Sequence, residues 1–248
     1  MASDEVFDKR DSGSDEWPPE YDIPIETLRS WLNRPEDIRR KVHSIVCRKL
    51  KCPEVTGRDL VTCEVALKYV LKVLSADILL LEKSGCAALH IFALERKLCG
   101  TICGHKFIGY VDRIDSLLDG TVRIVDYKTG SDKQKVLSDS VKPADLFGSK
   151  AHDFKAALQF FIYDSLLFQS GHFGSRTLLN SMYAMSDIFS SRVECNPCRQ
   201  EFAQGVEECL GDLFTRMEDP DLPFTQTGGF NSCHWCDYKT LCGKHSND

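Results

Sequence analysis

Two aspartates and a lysine stand where a buried strand should carry apolar side chains. The stretch Ile108–Gly130, IGYVDRIDSLLDGTVRIVDYKTG, holds two short apolar runs, IGYVDRI and TVRIVDY, joined by the turn signal Asp119-Gly120. This is the pattern of a β-hairpin. Asp112 interrupts the first run, and Asp126 and Lys128 interrupt the end of the second. Carboxylates and an ammonium at the edge of an apolar sheet lose hydration, and mutual pairing or a cation must offset that loss. A divalent ion between Asp112 and Asp126, with Lys128 beside it, satisfies the pattern. The preference of hard cations for oxygen favours Mg²⁺ or Mn²⁺.

A second chemical cluster lies near the C-terminus, where FNSCHWCDYKTLCGKH carries Cys233, Cys236 and Cys242. Two cysteines separated by two residues bring both sulfurs to one ion, and the third follows after one more turn of chain. Thiolates at this density select zinc or an iron–sulfur cluster, and His234 or His245 would complete a zinc site. A second Cys-x-x-Cys, Cys195 and Cys198 in ECNPC, reads as a turn before a helix because of its Asn-Pro interior.

These sites need elements to position them. The first 20 residues are charged and polar with a Pro-Pro pair, and read as a disordered leader. Residues 21–248 read as one domain: a helical part over 21–86, a core over 87–193, and a helix with a metal-binding tail over 194–248. From Pro24 the spacing of Ile25, Leu28 and Leu32 predicts a helix. A second helix is expected from Glu36 to Leu50, and a third, well buried, from Asp59 to Lys83. ALHIFALERKL switches to period two and reads as a strand, followed by a turn near Gly100–Gly104. The polar stretch 131–150 reads as a long mobile loop. DFKAALQFFIYDSLLFQSG is the clearest helix, with Phe154, Leu158, Phe161, Ile162, Ser165 and Leu166 on one face and a stop at Gly171. Gln159 and Tyr163 stand four apart on it and project from the same side. RTLLNSMYAM and SDIFSSRV read as strands, and helical periodicity returns over 198–217.

Composition excludes some classes. The longest apolar run is short of the eighteen residues a membrane helix needs, so no membrane association is expected. The acidic start is no signal peptide, and twelve cysteines without an export signal point to a reducing, cytoplasmic setting. The net charge of −6 leaves only local basic surface for a polyanion. No GxxxxGK[ST] is present, so the chain carries no nucleotide-driven motor.

GYVDRID followed by IVDYKTG resembles the metal-binding core of the PD-(D/E)XK nuclease superfamily, in the form found in RecB/AddB-type nuclease domains of bacterial recombination and repair enzymes. The resemblance implies an α/β, restriction-endonuclease-like fold with a mixed central sheet flanked by helices. It implies that Asp112, Asp126 and the Tyr127 carbonyl hold Mg²⁺ or Mn²⁺, and that Lys128 orients the attacking water. It makes Gln159 and Tyr163 a pair bordering the active site, His43 a metal-binding group one helix earlier, and Glu95 the counterpart of a strand glutamate; Glu64 is a weaker alternative. It also implies a 4Fe–4S cluster on Cys233, Cys236 and Cys242. Where relatives supply the first cluster cysteine this chain has Arg34-Pro35, which leaves Cys47 or Cys52 (before Pro53) as the nearest fourth ligands. The activity implied is a metal-dependent DNA nuclease, an exonuclease of repair or recombination acting on single strands or DNA ends, alone or with a helicase partner. The alternatives are a catalytically inactive DNA-binding or scaffold subunit of a helicase–nuclease complex, and a zinc-ribbon interaction protein.

Overall fold

A computed structural model describes residues 16–117, 120–129, 141–147, 151–185, 194–197, 200–223, 233 and 236–243. Strand β1 (Tyr21–Pro24) leads into helices α1 (Ile25–Leu32), α2 (Pro35–Leu50) and α3 (Gly57–Ser84). Strands β2 (Ala88–Ile102), β3 (His105–Ser116) and β4 (Thr121–Lys128) follow, then α4 (Lys155–Gln169), β5 (Thr177–Ala184), β6 (Glu194–Pro197) and α5 (Gln200–Glu218). The strands form one six-stranded sheet in chain order. Every pairing is antiparallel except β4–β5, which is parallel and is bridged by α4. A parallel pair requires such a crossover. The sheet is therefore mixed and flanked by helices, as the resemblance implied.

The two sheet faces are covered differently. On one, Phe160, Phe161, Leu166 and Leu167 of α4 and Val206 and Leu210 of α5 pack onto Leu98, Val111, Ile114, Val122 and Ile124. On the other, Leu28 of α1 and Ile78 and Leu81 of α3 pack onto Leu89 and Ile91. Helix α4 buries more of its circumference than one stripe: Ala156, Ala157, Phe160, Tyr163, Asp164 and Leu167 are buried, whereas Leu158, Ile162 and Ser165 are only partly covered. It ends where expected, with Gly171 in the left-handed region beyond it. Helix α3 departs the other way. Leu60, Val61, Val65 and Val70 of its N-terminal half remain exposed, because only its C-terminal half reaches the sheet.

Other expectations are revised. The helical part is preceded by a strand, β1, which pairs with β2 from Tyr21↔Ile91 to Pro24↔Ala88; its edge position tolerates the proline. Within the leader, Glu16–Glu20 are placed: Trp17 stacks on His172 with ring centroids 4.0 Å apart, and the Glu16 carbonyl accepts from Arg96. Strand β2 does not stop before Gly100 but runs through it to a tight turn at Cys103-Gly104. Of the polar stretch 131–150, residues 141–147 hold a short 3-10 turn whose Leu146 is buried in the main core; the rest lies outside the described residues. SDIFSSRV also lies outside them, and the second strand there is Glu194–Pro197. Cys195 is thus in a strand opposite Ser181, not in a turn, and Cys198 lies outside the described residues.

One irregularity organises the centre. Leu94 pairs with Arg113 and Arg96 with Val111, but Glu95 and Asp112 between them do not pair. Glu95 has φ of 52°, a left-handed conformation costly for a side chain of its type. In a regular strand residues two apart share a face. Here Val111 packs under α4, yet Arg113 bonds Asp77 of α3 on the opposite face. Arg96 lies over the Trp17 ring on the α4 side, yet Leu94 packs with the α1–α3 cluster. Both strands change faces at Glu95 and Asp112.

Candidate active site

The β3–β4 ladder runs Asp115↔Arg123, Ile114↔Ile124, Arg113↔Val125 and then stops. Beyond it the Tyr127 N–H donates not to a strand carbonyl but to Asp112 Oδ2, at 2.7 Å. The neighbouring Tyr110 carbonyl accepts from the Tyr163 hydroxyl of α4, at 2.7 Å. Side chains thus satisfy backbone groups that the separating strands release, and the strands part where Asp112 and Asp126 stand.

Helix α4 closes the notch. Gln159 Oε1 accepts from Lys128 Nζ at 2.6 Å, while Gln159 Nε2 donates to Asp126 Oδ1 at 3.2 Å and to the Tyr163 hydroxyl at 2.5 Å. Lys128 Nζ lies 2.9 Å and 3.2 Å from the two Asp126 carboxylate oxygens. An amide offers two donors and an acceptor, and Gln159 uses all three to fix a lysine, a carboxylate and a phenol. Five residues expected at the site, Asp112, Asp126, Lys128, Gln159 and Tyr163, are joined in this structure, with the Tyr127 backbone between the two aspartates.

Gly109 permits the Tyr163 contact: a Cβ there would lie 2.8 Å from Tyr163 Cε1. Gly109→Ala is expected to push the phenol off the Tyr110 carbonyl and loosen Gln159. Turnover should fall about 10-fold with a melting temperature changed by only a few degrees. Steady-state kinetics beside a thermal melt checks this.

Electrostatics favours a cation here. Burial pushes the Asp112 carboxyl above its ordinary value of 3.8, and the charges of Asp126 and Glu95 push it the same way, against the Tyr127 N–H and Lys128. Asp126 is 5 % exposed, and its buried Oδ2 accepts no hydrogen bond in good geometry despite the nearby ammonium. Ion-paired to Lys128 at 2.9 Å but without an aligned donor, this oxygen keeps a lone pair for an inner-sphere cation contact. Among the described residues no three His, Cys, Asp or Glu side chains converge at ligand spacing. That suffices for Mg²⁺, which keeps several waters and needs only one or two carboxylates. Asp112 and Asp126 therefore fit a hydrated divalent ion.

The same finding weighs against the iron–sulfur cluster, which needs four thiolates or close substitutes. Cys233 and Cys236 share a turn, with the Cys236 N–H donating to the Cys233 carbonyl at 3.2 Å, but no grouping of three ligands forms with Cys242. Cys47 interacts with Cys52 at the C-terminal end of α2, with Cys63 nearby; Arg34 bonds Ser30. Among the described residues these cysteines do not come together as a cluster site, and Cys198, His234 and His245 lie outside the described residues. His43 is placed on α2 facing Glu64 of α3, with Nε2 3.9 Å from its carboxylate. Glu64 itself pairs with Arg39. No hydrogen bond or ion pair joins His43 to Asp112 or Asp126.

Sequence reasoning missed a buried ionic network behind the site. Arg113 donates two bonds of 2.8 Å to Asp77, Arg123 grips Asp115 at 2.7 and 2.9 Å, and Arg113 Nε lies 2.7 Å from Asp115. The Tyr183 hydroxyl donates to Asp77. All four charged residues are buried. The network ties α3, β3, β4 and β5 together one residue from Asp112. The available signal was charge in and beside the same apolar runs, Arg113 within the first, Asp115 just after it and Arg123 within the second.

No curated protein matches the chain. Among the described residues no helix is long and apolar enough to cross a membrane. The profile of the PD-(D/E)XK nuclease superfamily matches residues 66–243, from the first half of α3 to just past the last cysteine and including every residue of the notch. With well over half its length covered, and an Asp-Tyr-Lys strand facing a second aspartate, the chain belongs to the PD-(D/E)XK nuclease superfamily.

Proposed function

We propose that the protein is a Mg²⁺- or Mn²⁺-dependent deoxyribonuclease, an exonuclease that hydrolyses phosphodiester bonds at single strands or DNA ends in repair or recombination. The observation that carries this reading is the joined set Asp112, Asp126, Lys128, Gln159 and Tyr163 at a parted strand end. A bound divalent ion supplies Lewis-acid stabilisation of phosphate charge and makes its bound water more acidic. Asp112 and Asp126, with the Tyr127 carbonyl, hold the ion. Lys128 holds a positive charge beside it and positions the attacking water, and Gln159 keeps the ammonium on station. Tyr163 anchors Gln159 to β3. The exonuclease mode, the repair setting and a separate helicase partner follow from the likeness of the GYVDRID and IVDYKTG motifs to RecB/AddB-type domains.

The test is cleavage of end-labelled single- and double-stranded DNA, with RNA as comparison, in Mg²⁺, Mn²⁺ and chelator. Metal-dependent shortening from an end is expected. No cleavage in either metal would overturn the enzyme reading in favour of an inactive DNA-binding subunit.

Metal binding should also be visible without substrate. A ligand at about 100 times its Kd stabilises a fold by about 2.7 kcal/mol, which for a chain of this size raises Tm by roughly 5–10 °C. The raised Asp112 carboxyl sets the sign of the pH dependence. Without metal, the native state holds this proton more tightly than the unfolded chain. The carboxyl therefore favours folding at low pH, and that contribution is lost as pH rises through its raised value. The metal must displace the same proton. Its stabilisation is full above the raised value and fades as pH falls through it, beginning above the ordinary 3.8. Thermal melts with and without Mn²⁺ across pH check this, and Asp112→Asn should abolish the shift.

A further inference from the structure

Beyond Glu95 and Asp112 the β2–β3 hairpin continues as a regular ribbon, from Arg96↔Val111 to Ile102↔His105. One face is sealed by α4: a Cβ at Gly100 would meet Gln169 and Leu166, and one at Gly109 would meet Tyr163. The other face carries Lys97, Cys99 and Thr101 on β2 opposite Tyr110, Ile108 and Lys106 on β3. Ile108 and Tyr110 are 61 % and 59 % exposed. Cys99, Thr101 and Lys106 are exposed as well. The six residues include no carboxylate, and neither lysine has an ion-pair partner among the described residues. Open aromatic and aliphatic surface between unneutralised lysines is the composition of a stacking platform for a polyanion. It runs up to the candidate active site along the strand: Asp112 follows Tyr110 by two residues, at the point where β3 changes faces.

We propose that this open face is a track for single-stranded nucleic acid, delivering an unpaired strand along β3 to the carboxylates; it builds on the nuclease reading. The exposed Tyr110 offers an aromatic ring, and only an unpaired base has its own face free to stack on one. Lys97, directly opposite, places an ammonium beside the same nucleotide's phosphate, and Lys106 does so further out. Lys106 to Asp112 spans about 20 Å at ~3.3 Å per residue, which accommodates at most about six stacked nucleotides at ~3.4 Å each. The acidic balance of the whole chain is no obstacle to such a track, since its charge is local.

The test uses the full chain with Ca²⁺ replacing Mg²⁺, reading fluorescence anisotropy of a labelled single strand and of its blunt duplex. Tyr110→Ala should weaken single-strand binding roughly 5- to 150-fold, the loss of one stacked base, while Tyr110→Phe stays within about two-fold of the wild type. Lys97→Ala and Lys106→Ala should each reduce the slope of log affinity against log salt by about 0.7. The thiol of Cys99, in mid-track, should be protected from iodoacetamide by bound single strand, as read peptide by peptide by mass spectrometry. Unchanged single-strand affinity in Tyr110→Ala and in the double lysine variant would overturn the proposal. So would an equal loss on the blunt duplex, or an unprotected Cys99 at saturation. Self-association that disappears in Tyr110→Ala while DNA affinity stays would assign the face to a second copy of the chain and equally overturn it. Cleavage is scored separately: a protein that cleaves with all these binding constants unchanged loses the track and keeps the chemistry, and one that binds as described without cleaving does the reverse.

Discussion

Asp126→Ala is expected to lower DNA cleavage by about 10³-fold or more in both Mg²⁺ and Mn²⁺. The carboxylate has three duties that no neighbour can assume. It offers a buried oxygen to the cation, accepts from Gln159 at 3.2 Å, and holds Lys128 within 3.2 Å of both its oxygens. The fold should survive. Lys128 is partly exposed and can turn to water, and removing one of two facing carboxylates relieves the repulsion that adds to burial in raising Asp112. Circular dichroism and a thermal melt should therefore stay close to the wild type, while the Mn²⁺-induced rise in Tm is lost. Lys128→Ala should match the loss in turnover but retain much of the metal shift, because both carboxylates remain. Substantial cleavage by Asp126→Ala would remove the catalytic assignment.

The second large effect lies behind the site. Asp77→Ala should destabilise the fold by about 3–5 kcal/mol, since it leaves two buried guanidiniums, Arg113 and Arg123, with Asp115 as the one remaining carboxylate of the network. For a chain of this length that is a fall in Tm of roughly 10 °C or more. Burial works against the Asp77 charge, but Arg113 and Arg123 overcome it and hold the carboxyl below 3.8. A lowered carboxyl contributes stability above its unfolded value and loses it as pH falls through the folded one, so the wild type should melt more readily only in strong acid. Replacing Asp77 and Arg113 together by Leu and Met should recover much of the loss, because a well-packed apolar pair has no desolvation cost to offset. Urea unfolding of the single and double variants separates the two cases. Equal stability of Asp77→Ala and the wild type would show that the network contributes nothing.

The difference between these two charge clusters explains what the sequence could convey. Asp112, Asp126 and Lys128 were legible because they fall at a turn-bounded hairpin, where a short-range signal fixes which strands meet. Gln159 and Tyr163 were legible as a pair because helical spacing alone puts them on one side, and the crossover then carries α4 over β4. Arg113 and Arg123 lie in the same runs, yet their partner Asp77 is on a helix that precedes both strands. No local period announces that contact. The face change at Glu95 and Asp112 was equally hidden, because it depends on one left-handed residue that is not a glycine. Strand β1 looked helical because four residues are too few to show alternation, and the exposed half of α3 looked buried because its apolar residues surround the helix. Cys233, Cys236 and Cys242 had the spacing of ligands, but spacing cannot say whether a fourth group arrives.

The parallel pairing of β4 with β5 bears on how the enzyme is made. Every side chain of the notch lies between positions 112 and 163, whereas β5 begins at Thr177. During synthesis all the reactive groups leave the ribosome before the strand that shields the far flank of β4. Until it docks, β4 is an unprotected edge rich in Val and Ile, the kind of surface that recruits foreign strands. A nascent chain stalled or cleaved short of Thr177 would carry all five side chains of the notch on a sticky, half-built sheet.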